Sequence, residues 1–164
     1  MLDTLRRTGG LSALSNRLGL TPVQSAQVAD AVTPYLIAAF ARVYRRIGQR
    51  AFVAQLETLG SEEMAQAVLI PGPVQPSMGE AVLRFAFGSA ENVDRVEQAF
   101  RAAMELDPAC YREAMRLLAL LLAGYFAARS GRVDFGLTDD GTAALLSTGE
   151  GTELLDAIIP PNDG

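Results

Sequence analysis

Histidine and lysine are both missing from this chain of 164 residues, so all 14 of its basic residues are arginines. The lack of histidine removes the commonest general base, the commonest metal ligand and every catalytic triad that uses imidazole. There is one cysteine, Cys110, so no internal disulfide can form, which fits a reducing compartment. We therefore expect a protein that is not an enzyme and has no catalytic residues, no cofactor and no metal site.

Long apolar runs are also scarce. The longest covers residues 117–128, between Arg116 and Arg129, and it is shorter than the roughly 20 apolar residues that span a bilayer. The first seven residues lack the basic and then apolar order of a signal peptide. These features predict a cytoplasmic chain without a transmembrane segment, in which residues 117–128 form a buried core helix.

Positive charge is unevenly distributed along the chain, whose formal net charge is −5. Residues 1–50 carry seven arginines and two acids, a net of +5, whereas residues 51–164 carry seven arginines and 17 acids, a net of −10. An acidic chain is a poor general binder of nucleic acid, although a local basic face could still bind it.

The most informative feature that is present is an internal repeat. The Leu-Thr-Pro step at residues 20–22 and the Leu-Asp-Pro step at residues 106–108 lie 86 residues apart, and each opens an apolar helical stretch. Identical pairs at this spacing are Leu20/Leu106, Pro22/Pro108, Leu36/Leu122, Phe40/Phe126 and Ala41/Ala127. Because internal repetition determines architecture, we predict an all-α fold in which two related helix-turn-helix-like units pack into one domain.

Composition divides the chain into four parts. Residues 1–60 form the first helical unit, 61–79 a Pro-rich linker region, 80–131 the second helical unit and 132–164 an acidic, Gly-rich C-terminal tail. The clearest break is at residues 70–76, where three prolines prevent a continuous helix. In the tail, residues 153–159 are a candidate short helix.

Local signals indicate where the helices begin and end. Gly19 is typical of a residue just past a helix, and Thr21 with Gln24 forms a capping box for the next one. Pro34 lies inside the following apolar stripe, so the helix either kinks there or a new helix begins with Thr33 as its cap. Gly48 predicts a further break.

Two groups of short motifs resemble a known family. Residues 11–22 are LSALSNRLGLTP and residues 31–37 are AVTPYLI, while residues 87–89 are FGS and residues 105–108 are ELDP. Over residues 9–47 and 80–130 the chain thus resembles the YidB-like family of uncharacterised bacterial proteins. The resemblance implies a bacterial, all-helical protein with homeodomain-like helix-turn-helix units, and it implies no established activity.

Four arginines form the main candidate site. Arg42, Arg45 and Arg46 are spaced to share one side of a helix, and Arg50 joins them if the helix continues past Gly48. Such a patch could bind phosphate, RNA, an anionic membrane surface, an acidic partner or the chain's own acidic tail. The alternative is a solvated face, since positive charge is favoured at a helix C-terminus.

Three further candidates have plainer explanations. The acids Asp139, Asp140, Glu150 and Glu153 match no calcium-loop spacing, so a solvated turn is expected. Cys110 falls in the first turn of a helix, where the dipole favours thiolate, but an inert thiol is expected beside an acid and without histidine. The aromatic residues at helical spacing are expected to be core.

The expected function is that of a protein–protein interaction or scaffold module, with self-association as one form of it. The alternative is a DNA-binding or regulatory protein that uses its helix-turn-helix-like units. Against that alternative, the outward residues of the first unit's second helix include Gln24, Gln27 and Asp30 but no basic residue. In its favour, a glutamine side chain can hydrogen-bond to adenine.

Overall fold

The computed structural model describes residues 1–130, 146, 149 and 151–161, and within them the regular structure is entirely helical. The all-α prediction is therefore confirmed. The helices are α1 Leu2–Arg7, α2 Gly10–Leu18, α3 Pro22–Ile47, α4 Gln49–Leu59, α5 Glu63–Leu69, α6 Pro76–Phe87, α7 Ala90–Ala103, α8 Pro108–Ser130 and α9 Thr152–Ile158. Residues 151–161, which contain α9, are called the tail segment below.

The predicted helix boundaries are largely those of the structure. The Thr21 hydroxyl accepts a hydrogen bond from the backbone N–H of Gln24 at 3.2 Å, and the Gln24 side chain accepts one from the N–H of Thr21 at 2.9 Å. Gly19 has the left-handed conformation expected of it, with φ of 65°. Within residues 61–79, α5 occupies the first part and α6 already begins at Pro76.

Pro34 does not divide α3, which is a single helix from Pro22 to Ile47. The alternative in which a new helix begins at Thr33 is therefore wrong. Thr33 is buried, and its hydroxyl has no hydrogen-bond partner among the described residues, so it does not cap a helix. The ring of Pro34 cannot donate a backbone hydrogen bond, which leaves the carbonyl of Asp30 without its usual partner.

The centre of the fold is α8. The residues of α8 from Leu117 to Ala123 have no exposed surface at all, and a run of seven covers the full circumference of a helix. Helices α2 to α7 all pack against it, and α5 and α6 do so most extensively. The prediction of a buried core helix is confirmed. Among the described residues, no helix is both long and apolar enough to cross a membrane.

A cluster of aromatic rings joins α3, α4, α6 and α8. Phe40 on α3 packs edge to face with Phe126 on α8, with ring centroids 5.4 Å apart, and with Phe52 on α4 at 6.3 Å. Phe85 on α6 lies 5.9 Å from Phe52. These aromatics are therefore core, as expected from their helical spacing.

Helix α1 was not predicted from the sequence. It is held by Leu5, which is fully buried, and by a hydrogen bond between the hydroxyls of Thr8 and Tyr125. Burial raises the pKa of Tyr125, while the hydrogen bond to Thr8 acts in the opposite direction. Only six residues long, α1 shows too little periodicity to be recognised alone.

Helices α5 and α8 cross at their closest point where Gly124 meets Ala65. A Cβ at Gly124 would lie 2.5 Å from the backbone nitrogen of Ala65, so only glycine fits there. We predict that Gly124→Ala lowers the free energy of unfolding by about 1–3 kcal/mol, because the two helices must separate. Urea unfolding followed by circular dichroism measures this.

Gly10→Ala is the matched control. A Cβ there would lie 3.0 Å from a Leu5 side-chain methyl and 3.3 Å from the Leu5 carbonyl oxygen, so a shift of a few tenths of an ångström accommodates it. The control should change the free energy of unfolding by less than about 1 kcal/mol. If the two variants were equally stable, the α5–α8 crossing would not depend on glycine.

Candidate functional site

Three of the four predicted arginines line one groove of about 720 Å³. Its walls are the C-terminal half of α3, the turn between α6 and α7, and the tail segment. We call it the arginine groove, and its principal lining residues are Arg42, Arg45, Arg46, Phe87, Ser89, Leu155, Asp156 and Ile159.

Arg50 does not belong to this groove. Helix α3 ends at Ile47 because Gly48 adopts a φ of 81°, and Arg50 lies in α4 on an exposed position. The condition under which Arg50 would join the other three arginines, an unbroken helix past Gly48, is therefore not met.

Arg42 is engaged by the tail segment. Its Nη2 donates to the carboxylate of Asp156 and to the backbone carbonyl of Ile159, the latter at 2.7 Å. The Arg42 side chain is 24% exposed and that of Asp156 is 41% exposed. One guanidinium thus neutralises an acid of α9 and also satisfies a carbonyl at the C-terminal end of α9, where such groups lack helical partners.

Arg45 and Arg46 remain available in the same groove. Both side chains are exposed, and Arg45 donates a hydrogen bond to the carbonyl of Ala41 in its own helix at 3.2 Å. Within the described parts of the chain, neither arginine forms an ion pair. Both lie in the last turn of α3, where the helix dipole favours a cation. As far as the described residues show, the groove therefore presents two positive charges without counterions.

The end of α7 that faces the groove is its start. Gly88 ends α6 in the left-handed conformation, and the Ser89 hydroxyl accepts a hydrogen bond from the N–H of Asn92 at 3.2 Å. This turn coincides with the Phe-Gly-Ser motif at residues 87–89. It lets the chain reverse direction so that α7 begins beside the arginines of α3.

Other arginines have structural roles that sequence reasoning missed. Arg17 donates four hydrogen bonds to the carbonyls of Ala67, Val68, Ile70 and Gly72, at 2.7–3.0 Å. It thereby satisfies the C-terminal carbonyls of α5 and the turn that follows. A planar guanidinium suits this task because its donors diverge in a fixed geometry. These partners are 50 or more residues away in sequence, so no local pattern reveals them.

Arg112 and Arg116 form an ion-pair network with acids of α6 and α7. Glu80 lies 3.2 Å from Nε of Arg112 and 2.8 Å from Nε of Arg116, while Glu97 lies 3.2 Å from Nη1 of Arg112. Asp94 also pairs with Arg112. These arginines thus join α8 to α6 and α7, and their charges are already paired.

The helix-turn-helix-like face shows little that suits DNA. At the start of α3 the exposed side chains are those of Val23, Gln24, Gln27 and Asp30. Arg17 of α2 is engaged with α5, and the pair of Arg6 with Asp3 reduces the positive charge contributed by α1. The described surface around this helix therefore has no cluster of unpaired cations for phosphate binding.

The remaining candidates are weaker as sites. Of the four tail acids, only Glu153 lies within the described residues, and it is exposed. No group of three or more potential metal-ligating side chains occurs among the residues the structure describes. Cys110 is partly buried, and burial together with the nearby Asp107 raises the pKa of its thiol.

Comparison with known proteins assigns no role to the arginine groove. No protein-family model, curated protein or solved structure matches the chain. The YidB-like resemblance therefore stays a prediction.

The contact between Arg42 and Asp156 leads to a first prediction for this site. In a double-mutant cycle of Arg42→Ala and Asp156→Ala, we expect a coupling energy of about 0.5–1 kcal/mol, the upper range for a partly exposed pair. It is measured from hydrogen exchange of the amides in the helix that carries the acid, which is α9 for Asp156 and α1 for the control acid Asp3. The matched pair Arg6 and Asp3, which is 58% and 87% exposed, should show almost no coupling. Equal coupling in both pairs would contradict a specific role for Arg42.

The raised pKa of Cys110 leads to a second prediction. Because the thiolate is the reactive form, the folded protein should react with Ellman's reagent more slowly than free cysteine near neutral pH. The rate should rise as pH rises, and it should approach that of a free thiol in the urea-unfolded chain. A reaction at neutral pH as fast as that of free cysteine would contradict this assignment.

Proposed function

We propose that this chain is a non-enzymatic protein-interaction module that binds acidic segments of partner proteins in the arginine groove. The observation that carries the proposal is the pair Arg45 and Arg46, exposed in a groove where Arg42 already holds an acidic segment of the same chain. Asp156 thus exemplifies the ligand chemistry that the groove accepts.

Charge supports this choice of partner. The chain as a whole is acidic, with a net charge of −5, but the described lining of the groove contains three arginines and one acid, Asp156. A positive site on an acidic protein attracts acidic peptides while the rest of the surface repels them, which favours correct orientation and faster association. Arginine forms bidentate hydrogen bonds with carboxylates, which adds geometric selectivity.

Self-association is one form of this function. Residues 51–164 carry a net charge of −10, so a second copy of the chain is a source of acidic segments. We assign the protein to the cytoplasm of a bacterial cell on the grounds given by its sequence. The alternative function, DNA binding, stays a prediction. No contact in the described structure favours it over protein binding.

The architecture behind the proposal is a duplication. We propose that α2–α3 and α7–α8 are the two related helix-turn-helix-like units, packed on each other. Phe40 and Phe126 occupy equivalent positions in the repeat, and their rings are in contact, which supports packing through equivalent faces. The two units differ in their arginines: Arg112 and Arg116 of α8 pair with acids of α6, α7 and α8, whereas Arg45 and Arg46 of α3 form no ion pair with a described residue.

A selection experiment tests the function. A library of random peptides of about a dozen residues is selected on the immobilised wild-type protein. The enriched peptides are then measured against the variant Arg45→Glu/Arg46→Glu. We expect enrichment of peptides rich in Asp and Glu. Their Kd should rise at least about tenfold on the variant, since two charge pairs of roughly 0.5–1 kcal/mol each become repulsive.

Arg50→Glu is the control, because it reverses the charge of an exposed arginine that does not line the groove. It should leave the Kd within about twofold, since an exposed arginine that does not line the groove forms no ion pair with a peptide bound there. Peptides that bind wild type and the groove variant equally, or a selection without acidic enrichment, would show that the arginine groove is not the binding site.

A further inference from the structure

We infer that the surface of α3 and α7 beneath the tail segment is itself a binding surface for a partner's short acidic helix, and that the tail segment is its internal competitor. This inference rests on the proposed function, because it concerns the same groove. It adds which helix pattern the partner carries and what the partner must displace.

The way the tail segment is seated defines the pattern. At Gly151, φ is +75° and the α-carbon approaches the carbonyl of Pro34 so closely that a side chain there would overlap it. Leu155 is 1% exposed and Ile159 is 8% exposed, whereas Leu154 is 52% exposed. The recognised features are therefore a glycine start, apolar residues at i and i+4, and an acid at i+1.

The start of the tail segment packs against the carbonyl of Pro34 in α3. The atoms nearest to a side chain at Gly151 would be the carbonyl group and Cβ of Pro34. Along α3, the tail segment therefore enters at Pro34 and reaches Arg42 about two turns later.

Weak anchoring makes the tail segment displaceable. Helix α9 has seven residues, fewer than the roughly 12–15 that an isolated helix needs to be even marginally stable. It packs chiefly on α3 and α7 and has no extensive contact with the central helix α8. Its release therefore exposes one face of α3 and α7 without opening the aromatic core.

The tail segment remains part of the chain when it leaves the groove. Residues 131–150 connect α8 to the tail segment, and four of these twenty residues are glycine. Because the segment stays covalently attached to the chain when it is released, it competes with a partner as an intramolecular ligand. Only molecules in which the segment is undocked can bind a partner helix, so the apparent affinity is the intrinsic affinity multiplied by that undocked fraction. Mutations that release the segment must therefore strengthen partner binding.

The test uses the full chain and a fluorescein-labelled synthetic peptide of residues 149–161, followed by fluorescence anisotropy. Gly151→Ala releases the segment by steric overlap, and Asp156→Arg releases it by charge repulsion from Arg42. We expect both variants to bind the wild-type peptide at least about tenfold more tightly than the wild-type chain does. Leu154→Ala, at an exposed position of the same helix, should behave like wild type.

A charge exchange identifies the position of the bound peptide. The double variant Arg42→Asp/Gly151→Ala should lose affinity for the wild-type peptide and gain it for a peptide carrying Asp156→Arg. Retained far-ultraviolet circular dichroism and cooperative thermal unfolding establish that each variant is folded, and the two releasing variants act by independent means.

Three outcomes overturn the inference: equal affinity of all chains for the peptide, tighter binding by Leu154→Ala as well, or no effect of the charge exchange. Each of these is distinguishable from failure of the proposed function. Acidic peptides selected on the arginine groove would still depend on Arg45 and Arg46 if the groove binds partners while the tail segment stays docked.

Discussion

The structure depends on one constraint: the apolar side chains of α8 must be shielded from water on every side of the helix. Its central residues are fully buried on every face, and each buried leucine contributes about 1.5–3 kcal/mol only if it is covered. Helices on all sides are therefore required, and α2 to α7 supply them. Gly124 lets α5 approach closely enough to close one side, and Tyr125 extends the arrangement by holding α1 through Thr8.

The absence of lysine and histidine gives every cationic role to arginine, and the structure separates those roles. Arg17 satisfies backbone carbonyls, Arg112 joins helices through acids, and Arg42 holds the tail segment. What distinguishes Arg45 and Arg46 is that they line a groove and form no ion pair with a described residue. The functional interpretation thus comes from comparing arginines that look alike in sequence.

Local patterns predicted much of the fold. The capping box at Thr21, the breaks at Gly19 and Gly48, and the buried character of α8 all follow from short-range chemistry, since caps, turns and apolar runs act over a few residues. The sequence did not predict α1, because it is too short to show a period. The course of the chain at Pro34 was left open, because surrounding packing decides whether a helix tolerates proline.

For the candidate site, the sequence by itself determined the spacing that puts Arg42, Arg45 and Arg46 on one helix, and the acidic character of the tail. Only the tertiary structure decided which of these charges meet. It placed Asp156 on Arg42, 114 residues away, excluded Arg50 from the groove and set the turn before α7 beside α3. The physical reason is that helix spacing is a local property, whereas pairing between distant helices depends on how the buried surfaces around α8 are covered.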